Sequence, residues 1–264
     1  GVTTTDRPDA DVERLLREAD LAMYQAKRHG LGWELFDLEL QRRAQARLSV
    51  REDLRTALRE GWFRLHYQPI HDLGTGAIVS AEALLRMEHP EHGTVGPDAF
   101  IDVAEDSDLI VPVGRWVLEQ ACRDLAGWRS AAQPAMQVSV NVSGRQLRRV
   151  DLPAQVLDAA RSAGVEPSDV TVEITERVLI EDTGDVLTDL RRLTDLGCGL
   201  AIDDFGTGYS SLTYLKRFPV SSVKIENMVR KANVANTMVK MTVITPYAAA
   251  SPTCWPMKAR SYSK

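Results

Sequence analysis

The segment Ala77-Ile-Val-Ser-Ala-Glu-Ala-Leu-Leu-Arg-Met87 predicts a long strand that carries charged side chains near its end. Successive side chains of a strand point to opposite faces, so Glu82, Leu84 and Arg86 share one face. A carboxylate suits a metal ion, and a guanidinium suits bidentate contact with a phosphate group. The strand therefore predicts one wall of a site for a metal ion and a phosphate compound.

Polar side chains also stand near the ends of other predicted strands. These strands span residues 63–70, 136–142, 170–175, 200–204 and 220–225. The polar candidates at the ends of the last four are Asn141, Glu173, Glu176, Asp203, Asp204 and Lys224. One strand-end acid alone is more often a solvated cap or an ion-pair partner, so the interpretation rests on the whole set. Oxygen ligands of this kind favour a hard cation such as Mg²⁺ or Mn²⁺.

Strands alternate with helices along most of the chain. Apolar periodicity predicts helices over residues 11–29, 38–60, 97–105, 111–128, 152–163, 183–196 and 210–217. This alternation is typical of an α/β protein with a mostly parallel sheet, although the turn at 72–76 is short enough for an antiparallel first pair. We expect a TIM-barrel-like (β/α) fold with an antiparallel first strand and a site at the strand carboxyl ends. A closed barrel needs about eight strands, so the last two strands are expected to be missing.

The chemistry follows from the convergence of acids. Several carboxylates at one barrel mouth repel one another unless a cation lies between them. A bound divalent ion lowers the pKa of a water molecule and polarises a phosphoryl oxygen. Lys224 would orient that water or stabilise developing charge. The sequence therefore favours a metal-assisted hydrolase of a phosphate ester.

The composition excludes several other classes. The 264 residues are 44% hydrophobic and 26% charged, and the net charge of −5 predicts no nucleic-acid or membrane partner. The three cysteines lie far apart, so neither a zinc site nor a disulfide framework is predicted, and a cytoplasmic location is expected. No apolar run reaches the roughly 18 residues that span a bilayer. Because the chain begins with Gly1, we expect a longer parent protein, whose membrane attachment stays open.

Residues 227–264 differ from the rest of the chain. They contain no Asp, Glu or Leu and six basic residues, whereas all 37 acids precede them. A native basic extension is one explanation. Sequence read out of frame from near Ile225 is the favoured one, because it accounts for the loss of acids, leucine and periodicity together. Within this tail only residues 240–245 could form a strand.

The motifs together resemble the EAL domain family of bacterial cyclic di-GMP phosphodiesterases. The resemblance runs from about Leu54 to Ile225. The segments that carry it are Tyr67-Gln-Pro-Ile70, Glu82-Ala-Leu-Leu-Arg86, His89-Pro90, Phe100-Ile101, Ala104-Glu105, Asn141-Val-Ser143, Glu173-Ile-Thr-Glu176, Asp203-Asp-Phe-Gly-Thr-Gly-Tyr-Ser-Ser-Leu212 and Lys224-Ile225. The family has a TIM-barrel-like fold and hydrolyses cyclic di-GMP to linear pGpG with Mg²⁺ or Mn²⁺, which implies two ions and two-metal hydrolysis here.

The resemblance also implies roles for single residues. Those implied to bind the first ion are Glu82, Asn141, Glu173 and Asp203, with Asp204 for the second. Those implied in catalysis are Lys224, which would act on the attacking water, and Glu176 in support. Those implied to contact the dinucleotide are Gln68, Leu84 and Arg86. The segment after Asp204 would couple metal binding to a homodimer formed through this domain.

The N-terminal part resembles the end of a GGDEF (diguanylate cyclase) domain. The resemblance rests on Leu15-Leu-Arg-Glu-Ala-Asp-Leu-Ala-Met-Tyr-Gln-Ala-Lys27, Gly30 and Phe36-Asp37, while the signature loop is absent, so no cyclase activity is assigned. We therefore divide the chain into a GGDEF remnant (1–38), a helical linker (39–53), an incomplete EAL domain (54–226) and a divergent basic tail (227–264).

The chain departs from the family pattern near its end. Glu226 stands where the family usually has Asp, and neither a Gly-Val-Glu nor a Gln-Gly motif follows Ile225. We therefore expect weak turnover of cyclic di-GMP or none. The alternatives are a non-catalytic cyclic di-GMP-binding or regulatory module and a truncated product that does not fold stably. A nucleic-acid-binding tail is remote, because its aromatic residues are too few for a stacking platform.

Overall fold

The computed structural model describes residues 1–5, 11–28, 30–72, 74–131, 136–180, 185–203, 218–225 and 241–244. The helices in these residues are α1 (Val12–Arg28), α2 (Leu38–Glu60), α3 (Ile101–Asp106), α4 (Ile110–Ala131), α5 (Gly144–Arg149), α6 (Leu152–Ala163), α7 (Glu176–Ile180) and α8 (Asp185–Asp195). The strands are β1 (Phe63–His71), β2 (Ile78–His89), β3 (Gly93–Val95), β4 (Gln137–Asn141), β5 (Val170–Thr175), β6 (Gly199–Asp203), β7 (Ser222–Ile225) and β8 (Met241–Ile244).

The strands form one eight-stranded sheet in the order β1-β2-β4-β5-β6-β7-β8, with β3 paired to β2. The pair β1–β2 is antiparallel, and the strands from β2 through β7 run parallel to one another along this path. The predicted TIM-barrel-like α/β fold with an antiparallel first strand is thereby confirmed. The parallel strands bring their carboxyl ends to one edge, which is where such folds carry their sites.

The last strand departs from the parallel course. Residues 241–244, inside the tail segment for which a strand was considered, form β8, which pairs antiparallel with β7. In the described residues β8 and β1 are not paired with each other, so they remain the two edges of the sheet. An antiparallel strand is not the parallel βα unit that would continue a regular barrel.

The hydrophobic core lies between the sheet and its helices. Val138 and Val140 on β4 and Val172 and Ile174 on β5 are all buried in it, together with residues of α4, α6 and α8. These alternate positions put one face of each strand against helices. The intervening positions, among them the buried Ser139, form the other face of the sheet.

Helix α2 illustrates how local sequence sets an element's bounds. Asp37 caps its first turn by accepting a hydrogen bond from the Leu40 N–H at 2.6 Å. Gly61 ends it with φ of 71°, a left-handed conformation that glycine adopts without a Cβ penalty. The predicted bounds of α2 and α6 agree with the structure.

Four short elements were not predicted from the sequence: β3, α5, α7 and a 3₁₀ turn at 167–169. Residues 33–36 form no strand, and an isolated bridge joins Leu35 to Val2. A short segment with no neighbouring strand has nothing to extend its ladder. The predicted helix over 210–217 lies outside the described residues.

Candidate active site

Four buried ionisable side chains meet at the carboxyl ends of the parallel strands. Their exposed fractions are 3% for Glu82, 1% for Glu173, 7% for Asp203 and 2% for Lys224. Charged groups are rarely buried unless they are paired or bind a metal ion, because desolvation of an isolated charge is costly. Such a concentration of burial and charge marks this edge of the sheet as the candidate active site.

Strand register explains why these side chains meet. Asn141 of β4 is level with Glu173 of β5, and Thr175 of β5 is level with Asp203 of β6. Since Ala201 pairs with Ser222, Lys224 lies two residues beyond Ser222 just as Asp203 lies two beyond Ala201. A period of two keeps such residues on one face of the sheet.

The three carboxylates form a compact group. One oxygen from each of Glu82, Glu173 and Asp203 lies within 4.8 Å of the others. The Glu173 Oε2 atom is buried and has no hydrogen-bond partner within the described residues. An unsatisfied, buried carboxylate oxygen is costly unless a cation contacts it. The acid triad therefore fits a divalent cation, for which carboxylate oxygens are the usual ligands.

Lys224 supplies a positive charge within this group. Its Nζ donates a hydrogen bond to Glu82 Oε2 at 2.7 Å and forms an ion pair with Glu173 Oε1. The two acids and the lysine therefore compensate one another's charge in a buried place. The site contains three acids and one lysine. When all are ionised its net charge is negative, which favours binding of a further cation.

Burial dominates the titration of Glu173. Desolvation raises the pKa of this carboxyl to about 7, while Lys224 acts to lower it and the nearby Glu82 acts to raise it further. A carboxyl with such a pKa exchanges its proton near neutral pH. Binding of a cation would favour the ionised form and expel that proton.

Asn141 joins the group at its rim. Its Nδ2 donates a hydrogen bond to Glu82 Oε1 at 3.0 Å, which fixes the plane of the amide beside the carboxylate, and the residue itself is exposed. The backbone N–H of Val142 donates to the Glu173 carbonyl at 2.8 Å. The ends of β4 and β5 are thus tied together where two predicted ligands stand.

The residues predicted to contact the dinucleotide lie on the first strand pair. Gln68 of β1 is directly opposite Glu82 of β2. Leu84 and Arg86 follow Glu82 on its face of β2 and are half-buried. Arg86 Nη1 donates to the Leu85 carbonyl at 2.7 Å. All three therefore lie along one wall that leads away from the acid triad.

Glu176 and Asp204 are the remaining residues that the sequence predicted for the site. Glu176 begins α7 directly after β5 and is buried, with 4% of its surface exposed, close in sequence to Glu173. Asp204, predicted to bind a second ion, lies outside the described residues. The structure thus brings together Glu82, Asn141, Glu173, Asp203 and Lys224, and it places Glu176 at the end of the same strand.

The sequence interpretation missed the turn that follows Asn141. Ser143 and Gln146 form a capping box at the start of α5, in which each side chain bonds the other residue's backbone N–H. The available signal was Ser-x-x-Gln directly after a predicted strand, which is a recognised helix start. The sequence interpretation missed this helix start because the six residues of α5 show too little apolar periodicity.

No helix in the described parts of the chain is long and apolar enough to cross a bilayer.

Comparison with known proteins shows which chains this one resembles. Residues 51–239 match the EAL domain family. The bifunctional diguanylate cyclase/cyclic di-GMP phosphodiesterase MucR of Pseudomonas aeruginosa is 41% identical over 213 residues, which cover 80% of this chain and 31% of that protein. The cyclic di-GMP phosphodiesterase PdeR of Escherichia coli is 35% identical over 253 residues, covering 94% of this chain and 38% of that protein. The chain thus spans about a third of the length of these relatives.

Solved structures resemble the fold as well. The PaMucR phosphodiesterase in complex with c-di-GMP superposes with a TM-score of 0.64 at 42% identity, covering 67% of this chain and 72% of that one. The EAL enzyme Bd1971, with cAMP and cyclic di-GMP bound, superposes with a TM-score of 0.66 at 31% identity, covering 81% of this chain and 56% of that one.

Proposed function

This chain belongs to the EAL domain family, and from that premise we propose that it hydrolyses cyclic di-GMP to linear pGpG with the help of Mg²⁺ or Mn²⁺. The single observation that carries the proposal is the buried triad of Glu82, Glu173 and Asp203 with Lys224 against it. The named activities of MucR and PdeR and the cyclic di-GMP bound to PaMucR and Bd1971 supply the substrate class.

In this proposal Glu82, Asn141, Glu173 and Asp203 hold a first divalent ion, and Asp204 a second. When bound, such ions supply an activated water and charge stabilisation at the phosphoryl group. The triad offers acid oxygens at one point, and Asn141 adds a neutral amide oxygen, because its Nδ2 is already engaged with Glu82. A hard-oxygen set of this kind suits both Mg²⁺ and Mn²⁺.

Lys224 positions the attacking water and stabilises charge that develops on the phosphoryl oxygens. Its ammonium is held by Glu82 and Glu173, so its donors converge on the place where the reaction would occur. A preorganised charge in a water-poor site is effective because it needs no reorientation during the reaction. Glu176 supports this arrangement from the start of α7.

Gln68, Leu84 and Arg86 bind the dinucleotide along the β1–β2 wall. Arg86 offers guanidinium donors that match a phosphate, and Leu84 presents an apolar surface beside them. Gln68 lies level with Glu82, so a contact with this residue aligns the substrate with the acid triad. The scissile 3′–5′ phosphodiester would then face Lys224.

The rate is expected to be lower than that of full-length EAL enzymes. Glu226 stands where the family has Asp, and the Gly-Val-Glu and Gln-Gly motifs do not follow Ile225. The groups that those motifs supply would be missing from the site. We propose slow, metal-dependent turnover for this reason.

Two organisational points accompany the proposal. Residues 1–38 represent the end of a GGDEF domain, supported by the single amphipathic helix α1 and the bridge between Val2 and Leu35. Residues 39–53 link this remnant to the EAL domain.

The EAL domain pairs with a second copy to form a homodimer. Sedimentation of the chain with and without Mn²⁺ tests the dimer, since a monomer under both conditions would contradict it.

Incubation of the purified chain with cyclic di-GMP and Mn²⁺, followed by chromatography of the nucleotides, tests the function. We expect pGpG to form, EDTA to stop its formation and Glu82→Gln to abolish it. Glu52→Gln, which changes an exposed glutamate of α2 that pairs with Arg55 of the same helix, should leave the rate unchanged. Unchanged cyclic di-GMP, together with calorimetric binding of it in Ca²⁺, would instead identify a non-catalytic binding module.

A further inference from the structure

We infer that Gln146, packed against the bare backbone of Gly114, is a positioning residue for the metal centre and acts on Asn141 through Ser143. The inference rests on the proposed function, because it assigns Asn141 to the metal. Gln146 lies in α5, beyond the turn that follows β4. Its influence is exerted through the turn that follows β4.

Two hydrogen bonds between Ser143 and Gln146 fix the turn after β4. The Ser143 N–H donates to Gln146 Oε1 at 3.2 Å, and the Gln146 N–H donates to Ser143 Oγ at 3.2 Å. Gln146 is buried, with 2% of its surface exposed. The Ser143 N–H lies two residues after Asn141, so the Gln146 carbonyl fixes the backbone immediately beyond the predicted ligand.

The Gln146 side chain also packs against α4. A Cβ atom at Gly114 would lie 1.7 Å from Gln146 Nε2 and 2.4 Å from its Cδ, so any other residue would displace the amide. Glycine inside a helix is less favourable than alanine, so its presence calls for a packing reason. The closeness of the glutamine explains a glycine at this buried place. In the same helix a Cβ at Gly127 would meet no atom within 4 Å.

Hydrogen bonds of Val142 and Asn141 connect the turn to the acids. Val142, between Asn141 and Ser143, donates its N–H to the Glu173 carbonyl at 2.8 Å. Asn141 in turn donates to Glu82 at 3.0 Å. A shift of the turn therefore changes the spacing of Asn141 from both acids, whereas the acids remain held by their own strands.

Ser143 has a further restraint from α3. Its hydroxyl donates to Glu105, a contact that acts to lower the pKa of that carboxyl while burial raises it. The serine is thus held from two sides, by Glu105 through its hydroxyl and by Gln146 through its backbone. The bond from the Ser143 N–H to Gln146 acts directly on the backbone beyond β4, so Gln146 is the residue to change.

Calorimetric titration of Mn²⁺ into the full chain tests the inference without reference to turnover. We expect Gly114→Ala and Gln146→Ala each to weaken Mn²⁺ binding about tenfold or more, as is usual for groups that orient metal ligands. Gly127→Ala is the matched control in the same helix and should bind Mn²⁺ as the unaltered chain does. Thermal unfolding of each variant shows that it is folded.

The double variant Gly114→Ala/Gln146→Ala separates positioning from general damage. Both single changes remove the same hydrogen bond, so the double variant should bind Mn²⁺ as Gln146→Ala does, without a further loss. Additive losses, or Mn²⁺ affinity in Gly114→Ala equal to that in Gly127→Ala, would overturn the inference alone. Absence of Mn²⁺ binding in the unaltered chain would overturn the proposed metal centre and the inference together.

Discussion

Lys224 lies among the acids with 2% of its surface exposed, and its ammonium contacts both Glu82 and Glu173. A lysine in that place can stabilise charge on the reacting phosphate, whereas a surface lysine cannot. The sequence predicted a catalytic role for this residue from its place at the end of a strand, but it did not predict the burial of the side chain. Its burial and its two partners depend on the closing together of β2, β5 and β7, which no local pattern reveals.

Replacing Lys224 by methionine should reduce the rate of pGpG formation by at least about 100-fold, because a positioned proton or charge donor contributes on that scale. Mn²⁺ binding should persist, since the three carboxylates remain. Steady-state kinetics and calorimetry measure the two effects separately. Lys27→Met, at an exposed position of α1, is the control; a rate for Lys224→Met within twofold of that control would contradict the assigned role.

Glu173 makes the metal-free chain sensitive to pH. Burial raises the pKa of this carboxyl from 4.5 to about 7, so between these values the folded chain binds a proton that the unfolded chain releases. Folding stability should therefore fall as pH rises through this window. Bound Mn²⁺ favours the ionised form and should remove the loss.

Thermal unfolding at pH 5 and pH 8, in EDTA and in Mn²⁺, measures this dependence. We expect Mn²⁺ to raise the Tm more at pH 8 than at pH 5, and Glu173→Gln to flatten the profile in EDTA. An identical EDTA profile for Glu173→Gln and the unaltered chain would show that another group is responsible.

The elements are held in register by contacts far from the site. Arg129 of α4 donates two hydrogen bonds, of 2.5 and 2.6 Å, to Asp169 just before β5. It also donates to the Met136 carbonyl before β4, and we call this set of bonds the Arg129 clamp. One side chain therefore joins the amino ends of β4 and β5. The carboxyl ends of the same strands bear Asn141 and Glu173, so this clamp fixes the strands that present two predicted ligands.

Arg129→Met should lower the free energy of unfolding by about 2 kcal/mol, because Asp169 would be left buried without its partner. We place the value below that for a fully buried pair, since the Arg129 side chain is 26% exposed. Denaturant unfolding measures it. Arg192→Met breaks exposed pairs with Asp151 and Asp189 and should leave the unfolding midpoint unchanged; equal losses in both variants would contradict the clamp.

How well an element was predicted depended on its length and periodicity. The helices α2 and α6 each begin after an aspartate cap and end before a glycine in the left-handed conformation, so their bounds followed from the sequence. The long strand β2 and the parallel strands that carry Asn141, Glu173 and Asp203 were recognised from the sequence pattern. The three residues of β3 and the six of α5 are too few to show a period, which is why the capping box beside Asn141 was overlooked.

The whole sheet contains more strands than the sequence indicated. Six were predicted, and β3 and β8 complete the eight that are described. The sequence of the tail could not give the direction of β8, because antiparallel pairing with β7 is decided by long-range contact. The antiparallel strand leaves the family's last parallel units unrepresented in the described residues.

A chain that ends at residue 240 tests the role of β8. Removing β8 leaves β7 as an unpaired edge, which exposes backbone donors and acceptors and favours aggregation. We expect a lower Tm and slower pGpG formation, since β7 carries Lys224. Differential scanning calorimetry and light scattering provide the comparison. A Tm equal to that of the full chain would show that residues 241–264 do not take part in the fold, as expected of sequence read out of frame.

We propose that the carboxyl ends of these strands hold a divalent cation for phosphodiester hydrolysis. Anomalous diffraction from crystals of the chain grown with Mn²⁺ tests it most directly. We expect an anomalous peak in contact with oxygens of Glu82, Asn141, Glu173 and Asp203, beside Lys224. A crystal grown under the same conditions with no peak at the triad, or with Lys224 alone filling the space between the carboxylates, would contradict it.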